Sequence, residues 1–228
     1  MKKERIPMLH RLFIYADSDN PVADLGRIKT AWLKSRDRYE MEWVLGEAEY
    51  NINKLRYLAC LALQDMPIID TKTTYDFLHD PRSREAVEIA KKYATGTASA
   101  DNLNTALAGA LAAQTDAGEH YPHAEYFAAL AAAHVCGSEY HTVLAVFDNI
   151  SVTAAAAAYD ANDTYPNRAY QDAYDTSLVT QADFFHAHFS WDEIKPALEK
   201  YREKNLELRA WRENQKEKLA TRVVGKSR

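Results

Sequence analysis

Glycine and proline are scarce, at seven each in 228 residues. An all-β sandwich or barrel carries a turn signal about every 8–12 residues, and this chain has too few of them. Cysteine is scarcer still. Cys60 and Cys136 each sit in an apolar helical stretch, which reads as two free buried thiols in a reducing compartment rather than one disulfide. No unbroken apolar run reaches the roughly 18 residues a membrane span needs. Asp, Asn and Tyr interrupt the longest alanine-rich segment. The opening residues, MKKERIPMLHRLFIYADSD, are basic, but Pro7, His10 and Arg11 break any signal-peptide core. The expectation is a soluble, cytoplasmic chain with no membrane association.

The most informative shortage is of cations. Residues 93–194 hold one base, Arg168, against 13 acids, a net charge of −12. Residues 1–92 carry 16 Lys/Arg and 15 Asp/Glu, and residues 195–228 carry 11 and 5. The whole-chain value of −5 conceals this segregation. A one-signed field of that extent steers cationic partners and raises encounter rates. Two arrangements satisfy it: the basic C-terminal segment folds back over the acidic middle, or a basic macromolecule docks there.

What is present is helical. Hydrophobic residues make up 47% of the chain, enough for a sizeable core and too much for low-complexity disorder. Apolar positions recur at three- and four-residue steps. They predict helices at about 5–16, 22–37 and 38–65, the last through Trp43, Val44, Ala48, Ile52, Leu55, Leu58 and Ala62. Asp65 to Thr74 reads as a loop around Pro67, because the alternation at Ile68–Thr73 is too short for a strand. A helical turn at Tyr75–Leu78 follows. Asp80 and Pro81 open a helix that stops at Gly96. Ser99 caps a helix through Leu103, Leu107, Leu111 and Ala112. Gly118 and Pro122 separate it from one at about 123–136. Gly137 ends that helix, and Ser138 caps the next, through Leu144, Phe147, Ile150 and Val152. The AAAAA run at 154–158 lets a neighbouring backbone approach closely. Pro166 restarts a helix to about 187, and Trp191 begins the last. The fold class expected is all-α: a multi-helix bundle or short solenoid-like stack of antiparallel helices with a long C-terminal helix. Residues 1–190 form a single helical domain, and the basic helix 191–228 packs on it or on a partner.

Catalytic signatures fail. His120 and His123 flank Tyr121 and Pro122, and His134 and His141 straddle Gly137. His186 and His188 point to different sides of a helix. None of the eight histidines has the H-E-x-x-H spacing of a zinc helix, although three could still converge in space. No G-x-S-x-G elbow and no phosphate-cradling glycine loop is present. Cys136 lies at a helix C-terminus, which raises a thiol pKa. The pairs Asp160/Asp163 and Asp172/Asp175 have i, i+3 spacing but no cationic or apolar neighbours to split their pKa values. The reading is a non-enzyme with no cofactor and no metal.

The stretch YDANDTYPNRAYQDAYDTSLVTQADFF at 159–185 interleaves tyrosines with aspartates. Tyrosine gives large contact area at low entropy cost, and the aspartates would pair with a partner's Lys or Arg while repelling phosphate. Asp160, Asp163, Tyr165, Tyr170, Asp172, Tyr174 and Asp175 are the candidate partner-binding residues. The same pattern also fits one amphipathic helix with tyrosines inward and aspartates outward. In the C-terminal segment Ile194, Tyr201, Leu208 and Trp211 form a stripe near seven-residue spacing, among ion pairs such as Lys195/Glu199, Glu199/Arg202 and Arg209/Glu213. It suits packing on its own chain or a homodimer, not nucleic-acid binding.

Over residues 55–150 the chain resembles a known family. LRYLACLALQDMPIID, a D-x-R-x-x-x-A-x-E-x-A helix (Asp80, Arg82, Ala86, Glu88, Ala90), a short glycine-containing break and the alanine-rich pair ending in AEYFAALAAAHVCGSEYHTVLAVFDNI carry the likeness. It is to the alanine-rich, all-helical immunity proteins of bacterial polymorphic toxin systems, the fifth family of that series. The resemblance implies neutralisation of a toxin by direct binding, without catalytic residues. The expected function is therefore a non-enzymatic inhibitor of a basic partner such as a nuclease-like toxin. The alternatives are a phage or mobile-element counter-defence protein imitating nucleic-acid charge, a metal-dependent helical enzyme using clustered histidines, and an assembly subunit joined through the terminal stripe.

Overall fold

The structure, a computed structural model, describes residues 38–47, 51–120, 123–162 and 164–196, together with residues 29, 32, 33, 35, 199 and 203. The expected helix at 5–16, and most of those at 22–37 and 191–228, lie outside these residues. Among the described residues there are seven α-helices. They are α1 (Arg38–Glu47), α2 (Ile52–Asp65), α3 (Pro81–Ala94), α4 (Ala100–His120), α5 (His123–Val135), α6 (Tyr140–Asp160) and α7 (Pro166–His188). A small hairpin, β1 (Pro67–Ile69) and β2 (Lys72–Thr73), and a 3₁₀ turn at Thr74–Phe77 lie between α2 and α3. The fold is all-α, as the periodicity implies.

Each boundary has a local cause. Asn51 caps α2 by accepting from the amides of Asn53 (2.9 Å) and Lys54 (3.3 Å), so the single helix expected over 38–65 is two. Asp80 accepts from the Arg82 amide at 2.8 Å with Pro81 in the first turn. Ser99 Oγ accepts from the Asn102 amide (3.2 Å), and Asn102 Oδ1 accepts from the Ser99 amide (3.1 Å). That reciprocal pair opens α4, which runs through Gly118 to His120. The cap of α6 is Glu139 and not Ser138, with no side-chain bond to the backbone. Residues 67–73, expected as loop, pair as strands with Pro67 opposite Thr73 and Ile69 opposite Lys72. Asp70 makes the turn at a φ of 51°, a left-handed conformation that Asp adopts more readily than most residues.

Consecutive helices from α3 to α7 pack on one another across short connections, the antiparallel arrangement short loops enforce. α6 is central, touching α2, α5, α7 and β1. Its inner face runs from Val143 through Phe147 and Ile150 to Ala154, Ala155 and Ala156. It packs against α5, whose Ala128, Ala131, Ala132 and Ala133 are all fully buried; such small side chains let neighbouring backbones approach closely. Phe147, Phe185 and Phe189 stack in series at 4.7 and 5.6 Å. By length and mean hydropathy α6 is the one described helix apolar enough to cross a membrane, although Asp148 and Asn149 interrupt its apolar run. Two thirds of its apolar window is buried against the rest of the bundle.

Both cysteines are free and buried. Cys60 donates to the Val87 carbonyl at 3.6 Å and Cys136 to that of Ala86 at 3.5 Å. Burial pushes the Cys136 thiol up to about 12 and raises that of Cys60 as well, so neither thiol is a ready nucleophile.

Candidate functional site

The α6–α7 corner is built by the chemistry of helix ends. α6 closes at Asp160, where the Ala161 amide donates to Ala157 O (3.1 Å) and the Asn162 amide to Tyr159 O (3.2 Å). Asn162 Oδ1 then accepts from the amides of Thr164 (3.2 Å) and Tyr165 (2.8 Å), turning the chain. Pro166 starts α7. The turn sets the last residues of α6 beside the first of α7. Together with Phe127 of α5 they enclose a cavity of about 440 Å³, lined by Phe127, Ala156, Tyr159, Asp160, Asn167 and Tyr170. Ligand sites occupy about 300–1,000 Å³.

Two of the candidate residues, Asp160 and Tyr170, meet in this cavity. The others occupy the adjoining face of α7. Tyr165 is 69% exposed. Asp172 lies 3.6 Å from Arg168 one turn back, both largely in solvent. Asp175 is exposed and accepts from Gln171 Nε2 at 3.0 Å. Tyr174 is half-buried, its hydroxyl 2.7 Å from that of Tyr39 in a bond that stays open to solvent. Asp163 lies outside the described residues. The corner therefore presents carboxylates and two open rings, Tyr159 and Tyr165, while Tyr170 and Tyr174 stack with ring centres 6.5 Å apart.

Behind this face sits a polar network that the sequence did not reveal. Arg38 is fully buried. Its guanidinium lies 3.2 Å from Glu42 and donates to Gln181 Oε1 at 3.2 Å and to Asp148. It also stacks 4.0 Å over the Tyr39 ring. Gln181 donates onward to Phe147 O (3.0 Å), Ser151 Oγ (2.8 Å) and Ser177 Oγ (3.1 Å). Burial pushes the Tyr39 hydroxyl up, and its bond to Tyr174 adds to the effect, so the Tyr39 hydroxyl stays neutral. A continuous chain of contacts runs from the cavity through Tyr170, Tyr174 and Tyr39 to Arg38. It ties α7 to α1 and α6.

Some of the acidic excess is met by the chain itself, from bases before residue 93. Arg82 bridges Asp80 and Asp116, each at 2.5 Å. Lys54 pairs with Glu193, and His79 Nδ1 lies 3.3 Å from Glu125. None of these bases reaches the α6–α7 corner, where Arg168 is the sole ion-pairing base among the described residues. Lys195 and Glu199 pair at 3.6 Å as their spacing implies. The rest of the basic segment lies outside the described residues.

The histidines scatter. His134 Nδ1 meets Asn149 Nδ2 at 2.9 Å, His186 bonds Ser35 O at 2.8 Å, and His188 stacks 4.1 Å from Phe184. Among the described residues no three His, Cys, Asp or Glu side chains converge to hold a metal. The side chains of His120 and His123 lie outside them. Phe127, Asn167, Tyr39 and Arg38 belong to the site or its support and were not singled out from the sequence. Phe127 comes from a different helix and Arg38 looked like any surface base, so neither carried a sequence signal. Comparison with protein families, with characterised proteins and with solved structures returns no match for the chain.

Proposed function

We propose that the chain is a non-enzymatic binding protein that neutralises a basic protein partner, in the manner of an immunity protein, by covering its cationic site with the α6–α7 corner. The observation that carries this reading is the combination at one corner of exposed Asp160, Asp172 and Asp175, open Tyr159 and Tyr165, and a single base. Surface carboxylates spaced along one helix speed encounter more than they tighten binding. Open aromatic rings supply the buried area that holds a complex together. The Arg38 network ties α7 to α1 and α6 behind the corner, and a preorganised surface loses less entropy on binding. Repulsion of phosphate by the same carboxylates favours a protein ligand over nucleic acid.

The test is co-expression with the protein encoded by the adjacent gene. The neighbour alone arrests growth, this chain restores it, and an Asp172→Lys/Asp175→Lys chain restores it less. A harmless neighbour, or protection indifferent to both reversals, contradicts the proposal.

A further inference from the structure

The cavity at the corner has a chemistry more specific than negative charge. Three of its six lining residues, Phe127, Tyr159 and Tyr170, are aromatic, one is the carboxylate Asp160 and one the amide Asn167. Aromatic faces carry the negative lobe of the ring quadrupole and attract cations. The C-terminal end of α6 and the N-terminal end of α7 meet here, so their macrodipoles largely offset and the charge of the cavity is that of Asp160.

Elsewhere five rings lie beneath one of the chain's own cations. Arg38 lies over Tyr39, Arg56 over Tyr93 (5.1 Å), Arg84 over Tyr75 (5.4 Å), Lys72 over Phe77 (5.8 Å) and Lys91 over Tyr57 (5.9 Å). No described cation lies over Phe127, Tyr159 or Tyr170. Arg168, next to Asn167 in sequence, pairs instead with Asp172. The rings and carboxylate of the cavity are thus set out for a cation that the described chain does not supply.

We infer that this cavity receives an arginine side chain of the basic partner, its guanidinium stacked on the rings and bonded to Asp160 and the Asn167 amide. This rests on the corner being the docking surface for a basic protein. Arginine fits better than lysine. Its planar, weakly hydrated fork both stacks on aromatic rings and bonds a carboxylate through parallel donors, whereas an ammonium is strongly hydrated and must give up that water to enter. An anion would face Asp160, and an apolar group would leave Asp160 and Asn167 without compensation. The volume of about 440 Å³ exceeds one side chain, so neighbouring residues of the partner enter with it.

The experiment is an NMR titration of the full chain with three probes: N-acetyl-arginine amide, its neutral citrulline isostere and the lysine counterpart. The arginine probe shifts the resonances of Phe127, Tyr159, Asn167 and Tyr170 saturably. The citrulline probe binds at least about tenfold more weakly, and the lysine probe lies between. Asp160→Asn weakens the arginine probe at least about fivefold and closes the gap to citrulline. Equal binding of arginine and citrulline, stronger binding of lysine, or no saturable shift at these residues overturns the inference. So does a free chain in which Asp160→Asn shifts basic residues beyond 196, because the chain's own tail then fills the cavity. If the titration fails while a partner still associates more slowly at high salt, the cavity assignment falls and the docking surface stands. If it succeeds while no basic partner binds the corner, the reverse holds.

Discussion

Arg38 is the residue on which the interior depends most. It is a buried cation held by Glu42, Asp148 and Gln181, with Tyr39 beneath it. Removing one member of such a group strands the others. The Asp148 side chain is half exposed and can turn to water, so the cost falls at the low end of the usual range. Arg38→Leu is expected to lower unfolding free energy by about 3 kcal/mol in urea denaturation at neutral pH. An unchanged midpoint would show that the network contributes nothing. His134 gives a pH test. Burial lowers its pKa below the ordinary value of 6.5, and its Nδ1 accepts from the Asn149 amide, a bond that a protonated ring cannot make. The unfolded chain then binds the proton more readily than the folded one, so stability rises with pH between the folded and unfolded pKa values. Nothing is lost above the unfolded value, and the penalty grows as pH falls below about 6.5. The urea midpoint is expected to drop from pH 7 to pH 5, and His134→Gln to reduce that slope. An identical slope in the variant would exclude His134 as its source.

At the scale of elements, the α5–α6 connection shows how tightly the hairpins close. A Cβ at Gly137 would collide with the Thr142 side chain and lie 3.1 Å from His134 O. Buried Arg56 meanwhile donates to the carbonyls of Val135 (3.1 Å) and Gly137 (2.7 Å), satisfying the C-terminal end of α5. Gly137→Ala is expected to cost about 1–3 kcal/mol as an overpacking change, and Asn51→Ala about 1 kcal/mol as a lost cap. Thermal or urea unfolding reads both, and a neutral Gly137→Ala would show that Thr142 moves aside. These elements also mark what the sequence made legible. Caps at Asp80 and Ser99, the stop at Gly137 and the start at Pro166 were readable because the chemistry of a helix end is local. The break at Asn51 was not, since the apolar period continues across it and only the Asn side chain ends the register. The hairpin at 67–73 was missed because five paired residues leave too short an alternation. Of the site, the carboxylates and tyrosines of 159–175 were readable as a composition. Their division into cavity, open face and Tyr174–Tyr39 bond was not, because Phe127 and Tyr39 reach it from distant helices.

At the scale of the molecule, charge segregation is only partly resolved within the fold. Arg38, Lys54 and Arg82 reach over to Asp148, Glu193 and Asp116, while Asp160 and Asp175 at the α6–α7 corner, like Asp101, Glu139, Asp183 and Asp192 elsewhere, carry no ion pair among the described residues; the proposal makes the corner the anionic pole that a basic partner meets. Between exposed charges such a pole acts over about 8–10 Å at ordinary ionic strength and is screened by salt. It should therefore govern how fast a basic partner arrives more than how long it stays. The decisive measurement is stopped-flow association of the chain with the product of the adjacent gene across about a tenfold range of salt. The rate constant is predicted to fall steeply with salt, and Asp172→Lys/Asp175→Lys to slow association with little change in dissociation. An association rate indifferent to ionic strength and to both reversals would contradict the account.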